Sequence, residues 1–189
     1  MNNIIEDIIN RCITGDRNSQ EKLYHMYCKK LYGLSLRYTK NHDEAQDILH
    51  DGFIKIFQNL KQLKDVNAIE GWMKKIIINT ALEKFRAFKY TDSIHEIRII
   101  KEDISYNTDN EIRQKDLLKL VQDLSPQYRM VFNLYAIEGY NHKEIAKMLN
   151  ISEGTSKSNL SRARMILQEK VKLHYNSSKI HYNTDGESN

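Results

Sequence analysis

The chain has 189 residues and a formal net charge of +4, so its composition permits nucleic-acid binding without demanding it. One proline, seven glycines and a 40% apolar fraction favour a mostly helical chain with cores of modest size. Two cysteines form neither a disulfide framework nor a zinc-ligand set, and no stretch is apolar enough to span a membrane, so we expect a cytoplasmic protein without direct membrane insertion.

Two amphipathic helices are predicted in the first forty residues. Apolar side chains recur at helical spacing from Asn2 to Ile13, and Gly15 ends this first pattern. A longer apolar stripe from Leu23 to Tyr38 predicts the second helix, with Asn18 or Ser19 as its cap. The tyrosines of this stripe are more typical of core and rim positions than of a cofactor site.

The most acidic part of the chain runs from Asn41 to Asp51. Asp47 and Asp51 lie one helical turn apart, so both carboxylates should point the same way. Three interpretations remain open for this pair: a solvated helix face, a protein-docking surface, or a metal or acid–base site. The last is the weakest because His42 and His50 do not share the face of Asp47 and Asp51.

A loop is predicted from Lys61 to Gly71, and a locally basic helix opens after it at Trp72. Aromatic side chains are interleaved with its lysines and arginines. Cations for phosphates and flat faces for bases are what contact with single-stranded nucleic acid requires. The alternative is an exposed basic helix whose aromatic residues belong to the core.

Residues 91–110 are polar and lack a helical period, which predicts a flexible interdomain linker. Helical periodicity resumes at Ile112, and Ser125-Pro126 marks a further helix start. The apolar period is lost after Leu173, so residues 174–189 are predicted to be a disordered tail. The predicted fold class is all-α, with two helical domains at residues 1–90 and 111–173.

The stretch from Tyr140 to Arg164 predicts a helix-turn-helix. Asn141 and Glu144 have the spacing of a capping box, and Ser152 is a suitable cap for the next helix. The early turns of a recognition helix lie in the major groove of DNA, where short polar side chains reach base edges. DNA binding is therefore favoured over an ordinary helical hairpin with a solvated basic face. The polar outer face of the second helix carries Thr155, Lys157, Ser158, Asn159, Ser161 and Arg162.

The residues of this stretch also carry a family resemblance. Glu144-Ile145-Ala146, Gly154-Thr155 and the run from Leu160 to Arg164 resemble the carboxy-terminal DNA-binding region of bacterial sigma factors of the extracytoplasmic-function type. The chain departs from the family pattern at Ser156, where an aliphatic residue is usual, and at Asn159, where Arg is common. The resemblance implies recognition of the duplex −35 promoter element by Thr155, Lys157, Ser158, Asn159 and Arg162.

Two earlier segments resemble the same family. The stretch from Gly71 to Leu82 resembles the reader of the −10 element, and the acidic block resembles the segment that docks on the coiled coil of the polymerase β′ subunit. The resemblance implies that Asp47 and Asp51 bind core RNA polymerase. The implied contacts to the melted −10 strand are Asn67 in the loop and Lys75, Asn79 and Lys84 on the helix.

The function implied is that of a transcription initiation factor that directs core RNA polymerase to promoters. Its expected partners are the polymerase β′ coiled coil and β subunit, promoter DNA and, as is usual in the family, an anti-sigma factor. We expect no enzymatic activity, cofactor, metal or small-molecule substrate. The first alternative is a stand-alone helix-turn-helix regulator, which explains the second domain but leaves the acidic face and the basic aromatic helix without a role. The second alternative is a nucleic-acid-processing enzyme that uses the acidic cluster, which requires a divalent metal for which the sequence offers no convincing ligand set.

Overall fold

The computed structural model describes residues 2–92 and 114–184, and side chains within 4–88 and 116–173. Every regular element in these ranges is helical, which confirms the all-α fold class. The chain divides into two compact units between Ala87 and Phe88. The predicted linker lies outside the described residues, except for residues 91 and 92, which are helical.

The first unit is built from four α-helices within the described residues. These are α1 (Asn2–Ile13), α2 (Arg17–Tyr38), α3 (His42–Asn59) and α4 (Ile69–Asp92), and the short 3₁₀ helices Leu60–Gln62 and Val66–Ala68 occupy the predicted loop. The cap of α2 is Asp16 rather than Asn18 or Ser19, because the Asp16 carboxylate accepts the Ser19 backbone N–H at 3.0 Å. Helix α4 begins three residues before Trp72, as the chain leaves the 3₁₀ turn.

The core of the first unit lies where α1 and α3 pack on α2 and where α4 covers the buried face of α3. Each fully buried aliphatic side chain contributes about 1.5–3 kcal/mol by leaving water. This burial fixes α3 and α4 side by side, so their outward faces form one continuous surface. The largest buried side chains include Leu23, Ile56, Leu60, Met73, Ile77, Ile78 and Leu82.

Gly52 lies where α3 and α4 approach each other closely. A Cβ at this position would overlap Cδ1 of Ile77, which is itself fully buried. We expect Gly52→Ala to lower the free energy of unfolding by about 1–3 kcal/mol, because an overpacked core must shift. Ile77→Val removes the overlapping methyl and should recover part of the loss in the double variant.

Gly33 supplies the matched control for this prediction. It also lies inside a helix, α2, but a Cβ there meets nothing within 4 Å. Gly33→Ala should stabilise the protein by about 0.5–1 kcal/mol because alanine restricts the unfolded chain. Urea unfolding of the three variants measures both effects, and equal behaviour of the two alanine substitutions would contradict the packing explanation.

Cys12 and Cys28 are both free thiols. Burial raises the pKa of Cys12 to about 11, with the Asp16 carboxylate adding to the rise. The Cys12 side chain therefore remains a protonated thiol near neutral pH and acts as a small apolar core residue.

The second unit contains α5 (Gln114–Gln122), α6 (Pro126–Phe132), α7 (His142–Leu149) and α8 (Glu153–Thr184) among its described residues. A π-helical turn, Asn133–Ile137, continues α6, and Gly139 at φ 80° follows its end. Helix α8 continues as far as Thr184, into the stretch from residue 174 that is predicted to be a disordered tail. A helix can propagate through backbone hydrogen bonds after its apolar stripe ends. Residues 185–189 lie outside the described residues.

Buried side chains join the helices of the second unit. Leu134, Ile145, Leu149 and Ala163 are almost completely buried where α6, α7 and α8 meet. The Arg129 guanidinium is also buried and donates to the carbonyls of Gln122 and, at 2.8 Å, Leu124. This arginine satisfies carbonyl groups at the end of α5 and ties that helix to α6. The buried apolar side chains of this unit also include Leu120, Leu124, Met130, Val131 and Leu160.

Candidate functional site

The helix-turn-helix is set by local hydrogen bonds at both helix starts. The Asn141 side chain accepts the Glu144 N–H at 3.0 Å while the Glu144 carboxylate accepts the Asn141 N–H at 2.8 Å, which confirms the predicted capping box. Asn150 ends α7 in the left-handed region at φ 51°. Ser152 Oγ accepts the Thr155 N–H at 2.9 Å, which confirms it as the cap of α8.

The first two turns of α8 present a polar face to solvent. Lys157, Ser158 and Arg162 are exposed there. Thr155 is half-buried, and its hydroxyl is hydrogen-bonded to Ser152 Oγ at 2.9 Å. Arg162 donates to the Tyr128 hydroxyl across to α6 at 3.3 Å, which orients its guanidinium at the edge of this face. The structure therefore brings together four of the five side chains predicted for −35 recognition.

Asn159 is the exception. It is only 6% exposed, and its Nδ2 is buried without a hydrogen-bond partner among the described residues. Each helical residue turns by about 100°, so Asn159 shares the inner face of α8 with Ser156 and Ala163. The Asn159 side chain therefore points into the domain, away from the exposed face of α8, and its contact with DNA stays an untested prediction.

A basic groove adjoins the exposed face of α8. Ser156 is fully buried, and its Oγ is 2.9 Å from Nδ1 of His142, so the polar residue at a usually aliphatic position has a partner. The His142 ring stacks on Tyr135 with centroids 4.6 Å apart, and Arg164 lies 5.6 Å from the Tyr135 centroid. The groove has a volume of about 430 Å³, and Lys157 also lines it.

Sequence reasoning did not assign a role to His142. The signal that could have found it is weak: a histidine at the first position of α7 and a serine in place of an aliphatic residue on α8. Only the packing of the two helices shows that these residues are hydrogen-bonded.

The two acidic residues of α3 lie together as predicted. Asp47 is exposed and Asp51 is half-buried, and Lys84 of α4 contacts both. Its Nζ lies 2.8 Å from Asp51 Oδ2 and 3.9 Å from Asp47 Oδ2. The pair therefore forms a small charged cluster with Lys84 in the free protein.

Lys84 does not share the face of α4 that carries Lys75 and Asn79. At about 100° per residue, Lys84 lies half a turn around α4 from Lys75, and it faces α3. Lys75 and Asn79 are both exposed and one turn apart, so they share a face. Asn67 is exposed in the turn before α4, where its backbone N–H and Nδ2 donate to Asp65 Oδ1 at 2.9 and 3.0 Å.

The part of the chain that the structure describes contains neither a candidate group of metal ligands nor a candidate membrane-spanning helix. No group of three His, Cys, Asp or Glu side chains is placed there to hold a metal ion. None of the described helices is long and apolar enough to cross a membrane.

Two family models match the chain in the order of its two units. The model described as Sigma-70 region 2 matches residues 23–89, and that described as Sigma-70, region 4 matches residues 114–167. Together the matches cover more than half of the chain. The chain belongs to the extracytoplasmic-function sigma factors. Sigma factors are transcription initiation factors that bind core RNA polymerase and direct it to promoter DNA, and they are not themselves enzymes.

Two curated relatives match over nearly their whole length. The ECF RNA polymerase sigma factor SigW of Bacillus subtilis is 27% identical over 190 residues, covering 91% of this chain and 99% of SigW. The ECF RNA polymerase sigma-E factor of Haemophilus influenzae is 24% identical, with coverages of 87% and 93%. These relatives agree with the family that the two matched regions define.

A solved structure of a sigma factor has a similar fold. It is the sigma factor RpoE from Bartonella quintana in complex with the anti-sigma factor NepR, at 22% identity and a TM-score of 0.51. The match covers 80% of this chain and 96% of the RpoE chain. The sequence resemblance to this family is thereby supported at the level of the fold.

Proposed function

We propose that this sigma factor docks on core polymerase through α3 and recognises a promoter with two separate surfaces. The first turns of α8 contact the −35 element as duplex, and the exposed face of α4 contacts the −10 element as a melted strand. The observation that carries the proposal is the helix-turn-helix whose second helix exposes Lys157, Ser158 and Arg162.

The chemistry of the α8 face suits duplex DNA. An α-helix fits the major groove, where a guanidinium such as that of Arg162 can donate to O6 and N7 of guanine. Ser158 is short enough to approach a base edge, and Lys157 supplies charge for the backbone. In the adjoining groove, Arg164 and His142 are placed to contact a neighbouring phosphate, so this groove is proposed as part of the same interface.

The chemistry of the α4 face suits a single strand. Lys75 can neutralise a phosphate, and the Asn79 amide can donate to and accept from the edge of an unpaired base. Asn67 precedes this helix in a turn held by Asp65, where an exposed amide can contact an extruded base. Capture of extruded bases offsets an unpairing cost of about a few kcal/mol per base, so opening needs no hydrolysis.

The acidic pair on α3 is proposed to bind the β′ coiled coil of the core enzyme, with the β subunit contacting other parts of the chain. Exposed carboxylates at an interface speed and orient association with a basic partner. Because the Bartonella RpoE relative was solved with an anti-sigma factor, we also propose an inhibitory protein partner for this chain. These assignments imply that the chain acts in the cytoplasm, with the polymerase.

Transcription from a genomic DNA library by purified core polymerase, with and without this chain, tests the proposal. We expect new discrete start sites that share two upstream sequence elements, and these elements define the promoter. The control is the Asp47→Lys, Asp51→Lys variant, purified in the same way and assayed with the same core polymerase and library. Duplex DNA binding by a dimer without polymerase, together with no new starts, would instead support a stand-alone regulator.

A further inference from the structure

The docking carboxylates of the free chain are already occupied by a cation from the same chain. Lys84 Nζ is 2.8 Å from Asp51 Oδ2 and 3.9 Å from Asp47 Oδ2. All three side chains are at least two-fifths exposed, so the cluster lies at the surface where a protein partner can reach it.

The surroundings of the cluster have the character of a protein interface. Ile54 lies one turn beyond Asp51 on α3 and is 55% exposed, so it adds apolar surface beside the acidic pair. Gln58 follows one turn later, and these residues line a groove of about 350 Å³ against α4. An acidic, apolar and polar stripe along one helix face fits a basic amphipathic helix on the partner.

We infer that Lys84 is an intramolecular competitor for the polymerase: its ammonium occupies Asp51 and Asp47 in the free chain and must yield to the basic groups of the docking partner. This inference depends on the proposed docking function of the acidic pair. It makes Lys84 a residue that sets docking affinity, rather than one that contacts the −10 strand.

The expected effect follows from the charge of the cluster. The cluster of Asp47, Asp51 and Lys84 carries a net charge of −1, and replacing Lys84 by a neutral residue changes this to −2, so a basic partner is attracted more strongly. Exposed ion pairs are weak, so we expect Lys84→Gln to tighten binding to core polymerase by about two- to fivefold at low salt. The gain should shrink as salt rises, because screening weakens every charge in the cluster.

The measurement is the equilibrium affinity of the full-length chain for purified core polymerase without DNA, at two salt concentrations. Leaving DNA out separates docking from any effect of Lys84 on promoter contacts. Thermal unfolding of each variant shows whether the fold survives the substitution.

Lys55→Gln is the matched control. Lys55 lines the same groove and carries the same charge, but its ammonium pairs with Glu83 instead of the docking carboxylates. Its removal should change the affinity much less than removal of Lys84. Equal gains from the two substitutions would show that only general electrostatics is at work and would overturn the inference.

Two further outcomes distinguish the inference from the proposed function. The competitor inference fails if Asp51→Asn weakens docking while Lys84→Gln weakens it or leaves it unchanged. A weakening by Lys84→Gln would mean that Lys84 orients the carboxylates for docking. If Asp51→Asn also leaves docking unchanged, the proposed docking surface itself fails. A gain with Lys84→Gln that disappears in the Asp51→Asn background supports the inference directly, because the two substitutions then act through one contact.

Discussion

Combined substitution of Asp47→Lys and Asp51→Lys is expected to cause a large loss of affinity for core polymerase. The change replaces two exposed acids on one face of α3 with two bases, beside the existing cation of Lys84. Like charges brought together at an interface cost several kcal/mol, so we expect affinity to fall by about 100-fold or more. Competition binding against the unmodified chain measures the loss, and transcription from its promoters should fall with it.

Asp7→Lys combined with Glu21→Lys is the control for net charge. These exposed acids lie on α1 and α2 and change the total charge by the same amount without touching the α3 stripe. This variant should bind polymerase nearly as the natural chain does. Wild-type binding and transcription by the α3 double variant would rule out the docking role of the acidic pair.

Arg162→Ala is expected to cause the second large loss, in recognition of the −35 element. A well-placed arginine contact to a guanine contributes about 1–3 kcal/mol of discrimination, which corresponds to roughly 5- to 150-fold in affinity. The measurement is binding of the polymerase holoenzyme to its promoter, compared with a promoter in which the −35 element is scrambled. The variant should lose affinity for the first and change little on the second.

Tyr128→Phe separates the DNA role of Arg162 from its role in the fold. The Tyr128 hydroxyl accepts a hydrogen bond from Arg162 at 3.3 Å, and phenylalanine removes that contact while leaving the guanidinium in place. We expect only a small change in promoter binding. A loss as large as that of Arg162→Ala would indicate that the arginine acts by positioning α6 against α8 and not by contacting DNA.

Helix caps and helix faces could be predicted from the sequence because they depend on residues close together in the chain. The capping box of Asn141 and Glu144 and the cap at Ser152 are hydrogen bonds across three residues, so spacing alone predicted them correctly. The buried stripe of α3 and the shared face of Asp47 and Asp51 follow from helical periodicity for the same reason. These local patterns were enough to predict two helical units and a helix-turn-helix.

The sequence by itself therefore determined the helices, most of their ends and the family, because these depend on hydrogen bonds and apolar spacing within a short stretch of chain. Only the tertiary structure decided which way particular polar side chains face. Lys84 contacts Asp51 because α4 packs on α3, and His142 pairs with Ser156 because α7 packs on α8. Asn159 is buried for a related reason: its polarity suggested an outer position, but the packing of α8 against the domain placed it inside.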